Sequence, residues 1–293
     1  MKRIRVVPLT SNLLTKLSFC LIISFSLVAV NLYFFSFFDT TVRTSLNFFG
    51  YNDENDNSKT VRACKLAIII DDFGQNRDGV REMLSINRHM TVAIMPFLQF
   101  SKADAEAAYQ NGHEVIVHLP MESNNGKLSW VGPRPILSVM SDNEVYQIVI
   151  DSFDDVPHAV GANIHMGAKV GNDERIISSV LDVIKSKRLY FVDSRSSSRP
   201  IAKKIADEKG VLCYDRDIFL DGTKSKDTIK KQLKKAADIS LQRGKAVAIG
   251  HVGTEGGKIT AQAIREMLPY FDEKKIELVY VSELGRDDNM FLK

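Results

Sequence analysis

The sequence predicts an α/β domain built on a parallel sheet and set behind an apolar N-terminal segment. Three observations lead there. Short continuous runs rich in β-branched residues recur along the chain, the mark of strands buried on both faces: Leu66–Ile70, Val92–Met95, Val115–Val117, Ala159–Asn163, Leu189–Val192, Val211–Tyr214, Ala246–Ile249 and Leu278–Val281. Helix-like segments separate them, at Ser101–Asn111, Ser141–Phe153, Asp173–Lys187, Lys226–Arg243 and Thr260–Phe271. The polar residues gather where the runs end, which in a parallel barrel is the rim that carries the active site.

Such β-then-α units imply a parallel sheet, either closed as a barrel or open and doubly wound. Several helices open on a residue suited to the N-cap: Ser101, Ser225, and Ser141 with Glu144 in capping-box spacing. Neither G-x-G-x-x-G nor G-x-x-x-x-G-K-[ST] occurs, so the usual nucleotide signatures of an open sheet are missing.

Composition fits one large domain. The 293 residues are 44% hydrophobic and 26% charged, ample for a core. The net charge of +3 is dispersed and forms no basic stripe, which argues against a nucleic-acid partner. Cys20, Cys64 and Cys213 show no C-x-x-C spacing, so neither a thiolate zinc site nor a disulfide framework is indicated. They read as isolated thiols, with a Cys64–Cys213 bridge as the alternative in an oxidising compartment.

The N-terminus sets the expected location. Lys2, Arg3, Arg5 and Lys16 precede an uncharged run from Leu17 to Phe38, ended by Asp39. As a helix that run is long enough to cross ~30 Å of hydrocarbon. Its basic flank puts the N-terminus in the cytoplasm and the rest in the periplasm or outside the cell, as a single-pass protein of the inner or cytoplasmic membrane. Tyr33-Phe34-Phe35-Ser36-Phe37-Phe38 is too bulky for a signal cleavage site, so an uncleaved anchor is expected rather than a cleaved signal. Residues 1–40 are thus read as cytoplasmic stub and transmembrane anchor. The polar stretch 41–64, with Asn52-Asp53-Glu54-Asn55-Asp56-Asn57, reads as a linker, and 65–293 as the folded domain.

The strand ends carry the chemistry. The first run leads into Asp71-Asp72-Phe73-Gly74, two acids that are costly to bury unless paired or metal-bound. In an extended chain they point to different sides, so one can hold a metal while the other handles a proton. The bland alternative is that Asp72 caps a helix. Further strand ends supply His118 with Glu122, His165, Asp193 with Arg195, Asp221 and His251, while His113 precedes its strand and reads as a helix-terminus residue. Three of the six histidines on one rim, beside two acids, point to a metal hydrolase. Trp130, the only tryptophan, sits in the Ser123–Pro135 connection, either to stack on a sugar ring or to pin the loop.

Asp71-Asp72-Phe73-Gly74, Gly112-His113-Glu114 through His118-Leu119-Pro120-Met121, Asn163–Gly167, Phe191–Arg195, Phe219-Leu220-Asp221 and Ile249-Gly250-His251 together resemble the divergent polysaccharide deacetylases, from about Leu66 to Leu284. That family is related to the NodB-type carbohydrate esterases. The resemblance implies a distorted, incomplete (β/α) barrel of about seven parallel strands with one divalent metal ion, of the zinc type, at the strand ends. It implies Asp71 as general base, Asp72 and His118 as metal ligands, and His251 as general acid, with Asp193 placed to orient or charge it.

The position where the NodB pattern has a second histidine is Glu122 here, so His165 is the expected third ligand and Glu122 the alternative. Arg195, Asp221 and Trp130 are expected to bind substrate. The implied function is a metal-dependent hydrolase that deacetylates N-acetylated cell-envelope polysaccharide. A non-catalytic glycan-binding or envelope scaffold protein on the same barrel is the alternative, and the altered second motif favours it.

Overall fold

The computed structural model describes residues 64–285 apart from 76, 125 and 126. The expected anchor and nearly all of the expected linker lie outside the described residues. Among the described residues no helix is long and apolar enough to cross a membrane.

Among the described residues nine parallel strands form one sheet: β1 (Cys64–Phe73), β2 (Thr91–Ile94), β3 (Glu114–Met121), β4 (Ala159–Met166), β5 (Tyr190–Asp193), β6 (Cys213–Asp215), β7 (Ile218–Phe219), β8 (Lys245–His251) and β9 (Ile276–Val279). Their order is β6-β5-β4-β3-β2-β1-β8-β7, with β9 also pairing β1. Among the described residues seven α-helices connect them: α1 (Val80–Leu84), α2 (Ser101–Gln110), α3 (Asp142–Asp155), α4 (Glu174–Lys187), α5 (Ala202–Lys209), α6 (Lys226–Arg243) and α7 (Gly257–Glu273). The sheet is a curled, incomplete barrel: Asn163 on β4 hydrogen-bonds Asp71 on β1 although β3 and β2 lie between them. The sheet therefore has nine strands rather than about seven. The two-residue β7 and helices α1 and α5 are too short to stand out as periodic segments.

Alternation along each strand sorts side chains into two cores. Leu66, Ile68 and Ile70 of β1 join the large cluster under the helices, while Ala67 and Ile69 face the barrel interior. The interior set continues through Ile116, Val192, Tyr214, Val247 and Ile249. With a side-chain period of two, each interior residue projects the next polar residue of its strand to the inner rim. Ile69 leads to Asp71, Ile116 to His118, and Ile249 to His251.

The caps follow local chemistry. Ser141 and Glu144 close a capping box on α3, and Ser225 accepts from the Thr228 amide at the start of α6. Ser101 is no N-cap. It is the first residue of α2, and its hydroxyl donates to the Met95 carbonyl at 2.6 Å and accepts from the Leu98 amide at 2.9 Å, closing the loop after β2. His113 is buried just before β3, its Nε2 3.0 Å from the Leu84 carbonyl. Cys213 is a free thiol, so the alternative Cys64–Cys213 bridge is not formed.

Candidate active site

The polar rim begins with a distortion of β1. Its pairing with β2 shifts register between Ile70 and Phe73, and Asp72 there has a φ of 70°. A left-handed non-glycine residue costs about 1–3 kcal/mol and persists only where the surroundings enforce it. The bulge has a direct effect on direction. Alternation alone would send Asp72 to the helix side, but both adjacent acids approach the same histidine, Asp71 Oδ2 at 3.7 Å and Asp72 Oδ1 at 3.4 Å from His118 Nε2. The opposed directions expected of an extended chain are thus not observed.

Beyond the bulge the turn is anchored. Gly74 has a φ of 105°, and a Cβ there would meet the Met95 carbonyl at 2.9 Å. Its amide donates to the buried Asp104 carboxylate at 3.0 Å, which also holds Arg77.

Asp72, His118 and His165 bring three ligand atoms together. His165 Nδ1 lies 3.0 Å from His118 Nε2 and 3.1 Å from Asp72 Oδ1, and the third edge of the triangle is 3.4 Å. Bonds of about 2.0–2.1 Å to a tetrahedral zinc separate its ligands by about 3.3 Å, so this triangle is the right size for one such face. Asp72 Oδ1 is also a buried oxygen with no aligned hydrogen-bond partner among the described residues. An acceptor left in that condition suits a cation. Burial works against charge on Asp72, but His118 and His165 outweigh it and hold the carboxyl well below the usual range.

Asn163 organises the ligands from behind. Its amide nitrogen donates to Asp71 Oδ1 at 2.8 Å, which turns its oxygen toward His118 Nδ1 at 2.7 Å. Nδ1 then carries the ring proton and Nε2 presents a lone pair inward. The β3–β4 register dictates the contact, since His118 pairs with Asn163 and Pro120 with His165. On its outer side His165 Nε2 faces the Trp130 carbonyl at 3.5 Å. Burial raises the Asp71 carboxyl above its ordinary value, against the pull of His118 and His251.

His251 lies beside Asp71, its register partner across β1 and β8. Its Nδ1 is 2.8 Å from Asp221 Oδ1, and its amide donates to Asp221 Oδ2 at 2.7 Å. Thr260 donates to that same oxygen at 2.8 Å. Burial alone would depress the imidazole, but the hydrogen bond and charge of Asp221, with Asp71 and Asp72 behind, raise it to about 9. Gly256 makes room for this group: a Cβ there would stand 2.2 Å from Asp221 Oδ2.

Three expected roles change. Asp193 does not orient His251. Alternation puts it on the side of its strand neighbour Phe191, in the helix-side core, and its carboxylate accepts from the Arg195 amide at 2.7 Å. Burial raises its pKa, opposed by the amides of Arg195 and Ala202. Asp221 is not open to substrate, since it is buried and committed to His251 and Thr260. Glu122 is outside the ligand triangle. It pairs with Lys169 at 2.7 Å and accepts from the Ser138 amide at 2.8 Å, contacts that pull it down to about 2. Strand β3 ends at Met121, so alternation no longer governs Glu122.

Arg195 is exposed just beyond β5, and Trp130 is 64% exposed. Asn163, unassigned by sequence reasoning, could have been found from its spacing: it lies two residues before His165 and so shares its face.

The profile of the family described as divergent polysaccharide deacetylase matches residues 68–285. The chain is 32% identical over 213 residues to the uncharacterized protein YibQ of Escherichia coli (strain K12), covering 72% of this chain and 66% of that protein, just under two thirds of its length. It is 29% identical over 226 residues to an uncharacterized protein of Haemophilus influenzae, covering 77% and 78% of the two chains. In fold it is similar to the crystal structure of uncharacterized protein ATU2773 from Agrobacterium tumefaciens C58, with a TM-score of 0.68 at 19% identity over 75% of this chain and 89% of that one.

Proposed function

The chain belongs to the divergent polysaccharide deacetylase family, and on that premise we propose that it is a metal-dependent amidohydrolase that removes acetyl groups from an N-acetylated glycan. The observation that carries this reading is the convergence of Asp72, His118 and His165 on one point beside Asp71 and His251. A divalent cation held by those three ligands, zinc by the chemistry of the donor set, supplies Lewis-acid chemistry when bound: it acidifies water and polarises a carbonyl.

The chain's own residues do the rest. Asp71 takes a proton from the attacking water. Asn163 holds its Oδ1 and leaves Oδ2 for that proton, and the raised pKa of a buried carboxyl strengthens it as a base. His251 keeps a proton on Nε2 for the departing amine, because Asp221 fixes Nδ1 and favours the charged ring. The exposed Trp130 ring offers an apolar face to a sugar. We place the domain outside the cytoplasm, tethered by the 1–40 segment, where envelope glycans are the accessible substrates.

The test is paired. Elemental analysis of the gently purified full-length chain should find close to one divalent metal ion per chain. Acetate release from N-acetylated glycans should fall at least ~10²-fold in Asp71→Asn while metal content stays the same. A wild-type chain that binds such a glycan yet releases no acetate is a glycan-binding scaffold, and a chain that takes up no metal overturns the hydrolase reading.

A further inference from the structure

Beside the candidate site, a cationic pair on the rim, Arg216 with the expected substrate-binding residue Arg195, has no counter-charge in contact among the described residues. Arg195, just past β5, has a φ of 51°, and Arg216, just past β6, is half-buried. Among the described residues the hydrogen bonds of Arg216 all run to backbone carbonyls. Its amide donates to the Asp193 carbonyl at 3.0 Å, its Nε to the Ser194 carbonyl at 2.7 Å, and an Nη2 hydrogen points to the Arg195 carbonyl at 3.5 Å. Carbonyl oxygens orient a guanidinium without neutralising it.

Among the described residues neither arginine has a carboxylate within 4.0 Å. Asp71, Asp193 and Asp217 act on Arg216 only at longer range, and Asp217 is itself committed to Arg243 and to the Val247 amide. Of the five guanidinium N–H groups of Arg216, Nε and one on Nη2 are accounted for. The remaining fork, Nη1 with the other Nη2 hydrogen, has no acceptor among the described residues.

The fork is close to the reacting centre. The Arg216 guanidinium lies 5.2 Å from the Phe219 ring, which lies 4.7 Å from the His251 ring, so the cation is at most about 10 Å from the proposed acid. A pre-oriented guanidinium with a free edge is the standard partner of a planar carboxylate, bound through two parallel hydrogen bonds. A neutral N-acetylated sugar offers no such partner.

We infer that Arg216, with Arg195 beside it, forms a carboxylate-reading subsite, and that the glycan taken by this site bears a carboxylate next to its N-acetylated residue. This rests on the deacetylase reading for the identity of the neighbouring site, while the anion preference is a binding property that stands apart from turnover.

The experiment compares one glycan with and without its charge. Binding of a hyaluronan tetrasaccharide and of its carboxyl-reduced, uncharged twin is measured by calorimetry at low salt, on the zinc-loaded full-length chain carrying Asp71→Asn to prevent turnover. The charged form should bind at least about tenfold more tightly. Arg216→Gln should bring that ratio close to one without weakening the neutral form. Arg216→Lys, which keeps the charge but loses the fork, should fall between. Arg195→Gln changes an exposed side chain, leaves the fold intact, and should narrow the ratio several-fold.

A ratio near one in the parent overturns the subsite, as does a ratio that both arginine-to-glutamine changes leave intact, or failure of the charged glycan to bind. Acetate release by the wild type is scored separately. Its absence alongside an Arg216-dependent ratio removes the catalytic reading and leaves the subsite standing.

Discussion

Replacing Asp221 with asparagine should uncouple the stability of this protein from the charge of His251. In the folded chain Asp221 faces both Nδ1 and the amide of His251, and the imidazole is raised from 6.5 to about 9. A group whose folded pKa lies above its unfolded value stabilises the fold fully below the unfolded pKa. That contribution is lost as pH rises through the folded pKa. Here it is complete below about 6.5 and gone above about 9. The gap corresponds to about 3 kcal/mol, and with His251 only 7% exposed it needs little discount for solvent screening.

Asp221→Asn keeps the shape and removes the charge, so burial regains control and the imidazole titrates at or below its ordinary value. The assay is urea denaturation of the EDTA-treated full-length chain at pH values between about 6 and 10, with the His251 ring proton followed by NMR. The wild type should lose about 2–3 kcal/mol more than the variant across that interval. In activity, the alkaline limb of the wild-type profile should lie near 9 and move to lower pH in the variant. A variant with the wild-type pH dependence, or one whose His251 still titrates near 9, would refute the assignment of Asp221 as the group that charges His251.

Other expectations concern the metal and the close packing behind it. His165→Ala should lower zinc affinity far more than Glu122→Ala in a chelator competition, because Glu122 is tied to Lys169 and Ser138; equal losses would show that both coordinate. Asn163→Ala removes the acceptor of His118 Nδ1 and the donor to Asp71, and should weaken zinc binding about 10–100-fold in the same assay, whereas unchanged affinity would deny it an orienting role. Gly256→Ala puts a methyl group into the Asp221–Thr260 contact, so its thermal midpoint should fall and its His251 pKa should drop toward 6.5; a variant that keeps both would mean the loop yields freely.

Much of this protein was legible in one dimension because strand alternation is a local rule. Ile69 and Asp71, Ile116 and His118, and Ile249 and His251 are each two residues apart, so once the runs are read as strands their polar ends must share a face. The same rule, fully applied, would have placed Asp193 with Phe191 and away from His251. It also puts Asp221 two residues beyond Phe219, across from His251 in the β7–β8 register, but a two-residue strand leaves too short a pattern to read.

Tertiary structure alone decided the rest. Asp72 turns inward only because β1 bulges at a left-handed residue, a strained conformation that local preference would reject and that the surrounding sheet and turn enforce. His165 rather than Glu122 completes the triangle because β3 and β4 end level, with Met121 paired to Met166, so that His165 falls inside its strand and Glu122 just beyond the end of its own. Asn163 reaches Asp71 because the sheet curls across two intervening strands. Residue types and their faces follow from neighbours along the chain. Which of them meet, and which carboxylate charges which histidine, depends on sheet curvature and strand length, and these arise from packing summed over the whole domain.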